Sequence, residues 1–186
     1  MMHINPIKLI TLLILTFLLC SYSSTSAQVR ELGIRASGLE NFGFIYKKEQ
    51  KPNSYQRFRI GRINLAWRDL GEESSLATAL GFAIGFEKRK AINDELYLIH
   101  GFEPSMILAL STNSRNLIYD IQPGLGYVLG FQYSFSEKFY INIESIPSIN
   151  LIIRGTKGSS PVYTGNLGFN SNAVSITAAY RIVSNS

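Results

Sequence analysis

An all-β chain, closing as an eight-stranded antiparallel up-and-down transmembrane β-barrel, is what three observations predict. The segments after residue 28 alternate apolar and polar residues with a period of two, and no sustained three-to-four-residue apolar spacing appears among them. The face opposite each apolar stripe is built from glycine, alanine and charge, where a solvated sheet would carry Thr, Lys, Glu and Gln. The chain also opens on Lys8, an apolar run Leu9–Cys20 and a small polar stretch Ser21–Ala27, which are the three parts of a secretory signal peptide.

Residues 1–27 are therefore expected to be removed, leaving one barrel domain over residues 28–186. The apolar run is shorter than the roughly 20 residues of a spanning helix, against an uncleaved anchor. Cys20 follows Leu19 where a lipid-attachment signal carries a small residue, against lipidation. Cleavage after Ala27 removes the one cysteine, so a disulfide cannot hold the mature chain and an ample core or a bilayer must. The remaining 17 basic and 13 acidic residues give a net +4. They are scattered, apart from Lys47-Lys48, Arg57/Arg59/Arg62 and Lys88-Arg89-Lys90, each of which reads as a solvated turn. Such a balance implies no nucleic-acid partner.

The first strand covers Val29–Ser37, with Leu32, Ile34 and Ala36 on one parity. The second, Phe42–Lys48, carries Phe42, Phe44 and Tyr46 on one face. Pro52 and Asn53 mark a turn within Gln50–Ser54. In the third strand, Tyr55–Trp67, the apolar parity switches between Ile60 and Ile63, which predicts a bulge near Gly61. After the polar loop Asp69–Ser75, the fourth strand sets Leu76, Leu80, Phe82, Ile84 and Phe86 against Ala77, Ala79, Gly81, Ala83, Gly85 and Glu87. The turn Lys90–Glu95 leads to the fifth, Leu96–Leu110, interrupted by Pro104, and the loop Ser111–Asn116 leads to the sixth. There Leu125, Tyr127, Leu129, Phe131, Tyr133 and Phe135 alternate without error against Gly124, Gly126, Val128, Gly130, Gln132 and Ser134. Ser136-Glu137-Lys138 turns this strand into the seventh, from Phe139 to Arg154 with a break at Pro147. Gly155–Gly165 reads as the longest loop, and Val174–Ile182 as the eighth strand.

Small residues on one parity suit the crowded interior of an eight-stranded barrel. The same parity carries Glu31, Arg35, Glu87, Glu103, Glu144, Arg154 and Arg181, which must pair if they lie inside. The opposite face is then large, apolar and almost uncharged over the ~9–11 residues that a tilted strand needs to cross a bilayer. Aromatic residues collect near strand ends as an interfacial girdle: Tyr46, Tyr55, Tyr97, Phe135, Phe139 and Tyr180 at one rim, and Trp67 with Phe42, Tyr119 and Tyr163 at the other. The alternative is a soluble lipocalin-type barrel with the apolar parity inside. Under the membrane reading Ile176→Arg is costly and Thr177→Arg less so.

In pattern and length, Gln28–Ser186 resembles the small eight-stranded outer-membrane barrels of Gram-negative bacteria, the family that includes the OmpA transmembrane domain and OmpX. The resemblance implies a monomer in outer-membrane lipid, short periplasmic turns, and the loops Asp69–Ser75, Ser111–Asn116 and Gly155–Gly165 turned outward toward a surface partner. Family members finish on an aromatic residue that the barrel-insertion machinery reads. Here Tyr180 and Ile182 stand near the end and Ser186 is last.

Motifs for catalysis are lacking. There is no G-x-S-x-G, no H-E-x-x-H and no phosphate-cradling loop, and the mature chain has one histidine, His100. His100, Glu103 and Ser105 could supply a base, an orienter and a nucleophile for a membrane-embedded lipid hydrolase. Positions 100 and 105 fall on opposite strand faces, which argues against it. No cofactor, metal site or catalytic residue is expected.

Overall fold

The computed structural model describes residues 29–37, 42–69, 74–112, 117–156, 159–168 and 174–183, with the backbone alone for 62–69, 74, 75 and 183. The expected signal peptide and the chain end therefore lie outside the described residues. Ten strands are present: β1 (Val29–Ala36), β2 (Phe42–Lys51), β3 (Ser54–Asp69), β4 (Ser74–Ala91), β5 (Leu96–Thr112), β6 (Leu117–Ser134), β7 (Phe139–Ser145), β8 (Ser148–Thr156), β9 (Val162–Gly168) and β10 (Val174–Val183). They form one antiparallel sheet in the order β5-β4-β3-β2-β1-β10-β7-β6-β8-β9, and pairing of β5 with β6 closes it into a ring. Because β7 and β8 both pair with β6, they are two halves of one wall strand. β10 and β9 run beside those halves in turn, so the barrel has eight walls.

The local signals explain most boundaries. Pro52-Asn53 turns β2 into β3 with Asn53 at φ 61°, a left-handed conformation that asparagine tolerates. The pairing of β3 with β4 shifts between Gly61 and Asn64, where the parity of the sequence switches. Pro147 interrupts the seventh wall without costing register: the Tyr127 N–H donates to the Pro147 carbonyl at 2.9 Å, and Gly126↔Ser148 continues the line of Leu129↔Ser145. Two readings need correction. Val162–Gly168 is a strand and β8 runs to Thr156, so the loop expected over Gly155–Gly165 loses residues at both ends. Pro104 does not interrupt β5, which pairs with β6 without a break from Leu96↔Tyr133 to Thr112↔Leu117.

The apolar parity faces outward. Phe44, Phe86, Leu125, Phe131, Ile143 and Ile176 are all exposed, while Ile45, Ile99, Val128 and Tyr140 fill the interior beside charged groups. The lipocalin-type alternative needs the reverse and is thereby excluded. Small residues on the inward parity let adjacent walls approach closely. A Cβ at Gly101 would overlap the Phe86 carbonyl, and one at Gly130 would overlap the Ile143 carbonyl. Gly130→Val is expected to lower stability by about 1–3 kcal/mol through overpacking, measurable as a shift in the unfolding midpoint. A variant as stable as the parent would show that the wall can spread there.

The two ends differ. Pairing of β2 with β3 stops at Gly43↔Gly61, yet β3 and β4 continue to Asp69↔Ser74. On the far side, β10 and β7 stop at Val174↔Ser145, while β8 and β9 pair from Ser148↔Gly168 to Arg154↔Val162. Six strands, in the order β3-β4-β5-β6-β8-β9, thus stand beyond the rest at the loop end. Among the described residues, β9 and the upper part of β3 each keep one unpaired edge there.

Candidate functional site

Inward side chains follow from parity once the outward face is known. On β2, Phe42 and Phe44 point out, so Ile45 and Lys47 point in. On β3, Phe58 and Ile60 lie on the outward parity, placing Arg57 and Arg59 inside. On β4, Phe86 is outside, with Glu87 and Arg89 inside. The interior is consequently a lattice of ion pairs. Arg57, fully buried, reaches Glu87 (Nη1 to Oε2, 3.0 Å), Glu144 (Nη2 to Oε2, 2.7 Å) and Glu103 (Nε to Oε2, 3.0 Å). Lys47 Nζ lies 2.7 Å from Glu87 Oε2, and Arg59 Nη2 lies 2.6 Å from Glu103 Oε1. Arg89 donates two bonds to Glu31, at 2.6 and 2.9 Å, and a third to Glu87 at 2.7 Å. Its guanidinium stacks 3.8 Å from the centre of the Tyr55 ring, and the Tyr140 hydroxyl donates to Glu31.

Of the seven charged residues singled out by parity, the structure buries Glu31, Arg35, Glu87, Glu103 and Glu144 together inside the ring. Arg181 sits at the short-turn rim, where it bonds Glu31 at 3.1 Å and the Glu137 carbonyl at 3.0 Å. Arg154 is apart from the lattice: it stands on the projecting sheet with its side chain 63% exposed and pairs with Asp120 at 2.7 Å. Arg154 shares the inward parity, but at that height there is no opposite wall to bury it. The basic clusters depart from the sequence expectation. Lys47, Arg57 and Arg89 are buried cations that complete the lattice and do not belong to solvated turns. The parity rule that found the glutamates places them as well.

The aromatic set divides. Phe135, Phe139 and Tyr180 are exposed and Tyr46 half-buried, and Tyr133, Phe135 and Phe139 pack in sequence at 5.0 and 5.7 Å between ring centres, whereas Tyr97, across from the buried Gln132, has the inward parity of Ile99 and Glu103. Tyr55 does not belong to that girdle. It is 5% exposed and faces inward under Arg89, since it has the parity of Arg57. The side chain of Trp67 lies outside the described residues. His100 has the outward parity of Phe102, whereas Ser105 has the inward parity of Glu103, so no shared base and nucleophile arises. Among the described residues, no cluster of His, Cys, Asp or Glu could hold a metal ion.

These features define a class: a closed antiparallel barrel with an apolar exterior and an interior filled by charge pairs. No protein-family model matches the chain, and no curated protein matches it either. Among solved structures it is similar to a major outer membrane protein from Thermus thermophilus, with a TM-score of 0.55 at 12% identity, over 85% of this chain and 100% of that one. It is also similar to Ail, the attachment invasion locus protein of Yersinia pestis, with a TM-score of 0.42 at 13% identity, over 85% and 100% of the two chains. At such identity, the Thermus protein and this chain share a fold.

Proposed function

We propose that residues 28–186, after removal of the signal peptide, form a monomeric barrel in the outer membrane of a Gram-negative envelope, with a structural and surface-contact role and no enzymatic one. The observation that carries this reading is the inversion of burial: large apolar side chains outside, and four glutamates with their cations inside. Apolar surface on every wall has no favourable partner except hydrocarbon. The printed description of the Thermus neighbour as an outer membrane protein agrees with that location. The filled interior disfavours a general pore. The exposed edge of β9, with its neighbouring loops, is the contact surface, since an unpaired strand edge presents backbone donors and acceptors to another chain.

Fractionation tests the location. The protein is expected in the outer-membrane fraction, released by detergent and resistant to salt and carbonate washes. Recovery in the soluble periplasm without detergent would refute it. Placing prolines at Tyr163 and Gly165 is expected to abolish partner capture by cells while leaving the amount of membrane-inserted barrel unchanged.

A further inference from the structure

Among the described residues, the charges in the interior do not balance. Its inward cations are Arg35, Lys47, Arg57, Arg59, Arg89 and Arg181, and its inward carboxylates are Glu31, Glu87, Glu103 and Glu144. Five of these cations each touch at least one carboxylate. Arg35 touches none among the described residues. It is 5% exposed, and its Nε and Nη1 have no hydrogen-bond partner. A guanidinium keeps its proton at any pH a protein meets, so Arg35 cannot relieve its burial by neutralising.

Arg35 lines a cavity of about 110 Å³ above the lattice, toward the loop end. Arg59 and Glu103, already paired to each other, share that wall with Ser105, Ser148 and Asn150. The Asn150 amide donates to Ser148 Oγ at 2.8 Å, which leaves the Ser148 hydroxyl proton available to the cavity. The charge around the space is thus one positive in excess, with hydroxyl donors opposite. Beneath it the ion-paired lattice blocks passage. The volume accommodates several waters or one small anion.

We infer that this cavity is a binding site for a small oxyanion of the phosphate or carboxylate type, held by Arg35 and entering from the loop end. The site is a closed recess and not a step on a path through the barrel. Being inside the ring, it admits free ions and excludes lipid headgroups. The inference stands on the interior geometry and does not require the surface-contact reading.

The test uses the full mature chain in an alkyl maltoside, whose headgroup carries no phosphate. Inorganic phosphate, and separately acetate, are titrated by calorimetry at constant ionic strength, set with sodium chloride. Saturable binding is expected for the parent and for Arg154→Gln, with a loss of at least about tenfold in Arg35→Gln. Should Arg35→Gln fail to fold, Ser148→Ala keeps the question open to measurement, with an expected weakening of roughly 2- to 10-fold. No saturable binding by the parent, or binding that survives Arg35→Gln or Ser148→Ala unchanged, would overturn the inference. Binding of phosphate lost equally in Arg154→Gln would overturn it too, by placing the ion on the outer surface.

Discussion

Arg57→Met is expected to be among the most damaging single substitutions in the chain, costing about 3–5 kcal/mol of folding free energy. Arg57 alone bridges Glu87, Glu103 and Glu144, which come from β4, β5 and β7. Methionine fills similar volume but leaves three buried carboxylates with fewer partners, and a buried carboxylate without a cation is costly. Lys47 still reaches Glu87 at 2.7 Å and Glu144 at 3.6 Å, and Arg59 still holds Glu103, so the loss falls short of three orphaned charges. Urea titration of protein refolded into lipid vesicles measures the effect. A companion variant sharpens it: Arg57→Met with Glu144→Gln should be less destabilised than the sum of the two single changes, because each removes the other's buried partner. A change below about 1 kcal/mol in Arg57→Met would mean that the remaining cations share the load freely.

Ile176→Arg is expected to cost about 2–4 kcal/mol if its exposed side chain meets mid-bilayer hydrocarbon. Ile176→Leu is the control and should be close to neutral. The neighbouring substitution Thr177→Arg, the milder one by the sequence pattern, is expected from its burial to be costly as well. Thr177 is fully buried and stands directly across from Arg35, so a second guanidinium would enter a packed wall beside a cation that has no carboxylate partner among the described residues. The two faces of β10 are both unforgiving, for different reasons, and comparing arginines across them does not assign the faces. Unfolding in vesicles against unfolding in detergent does. The penalty at Ile176 should shrink in a micelle, whose apolar layer deforms around a charge, whereas a penalty that persists unchanged would place Ile176 inside a protein contact.

Strand alternation made the barrel legible, because one wrong register would turn every apolar stripe inward and every buried charge outward at once. The Leu125–Phe135 run, the parity switch near Gly61 and the glycine face all carried structural meaning. Legibility failed where a second rule was allowed to override alternation. Lys47, Arg57 and Arg89 sit on the inward parity of β2, β3 and β4, yet their clustering with Lys48, Arg59 and Lys88 read as solvated charge. Tyr55 failed similarly, as an aromatic near a strand end that in fact has inward parity. β9 was missed for a different cause. Val162–Gly168 pairs through its backbone with β8 above the rim, so most of its side chains are exposed on both faces and no stripe is required of them. Arg154 shows the limit of parity itself, since parity gives direction but not height. The oxyanion recess could not be read from sequence at all, because Arg35 is distinguished only by what fails to surround it.

The sharing of carboxylates across β1, β4, β5 and β7 bears on how the barrel is assembled. Glu31 is satisfied by Arg89 from β4 and Arg181 from β10, and Glu144 of β7 by Arg57 and Lys47 from β3 and β2. None of these contacts is local, so a half-wound sheet holding only the first walls carries Lys47 and Arg57 before Glu144 has arrived. Such an intermediate cannot enter hydrocarbon cheaply, because its concave side still bears uncompensated charge. Under the proposed outer-membrane reading, burial of that charge goes with ring closure, and the seam between β1 and β10, where Glu31 meets Arg181, is the last wall contact to form.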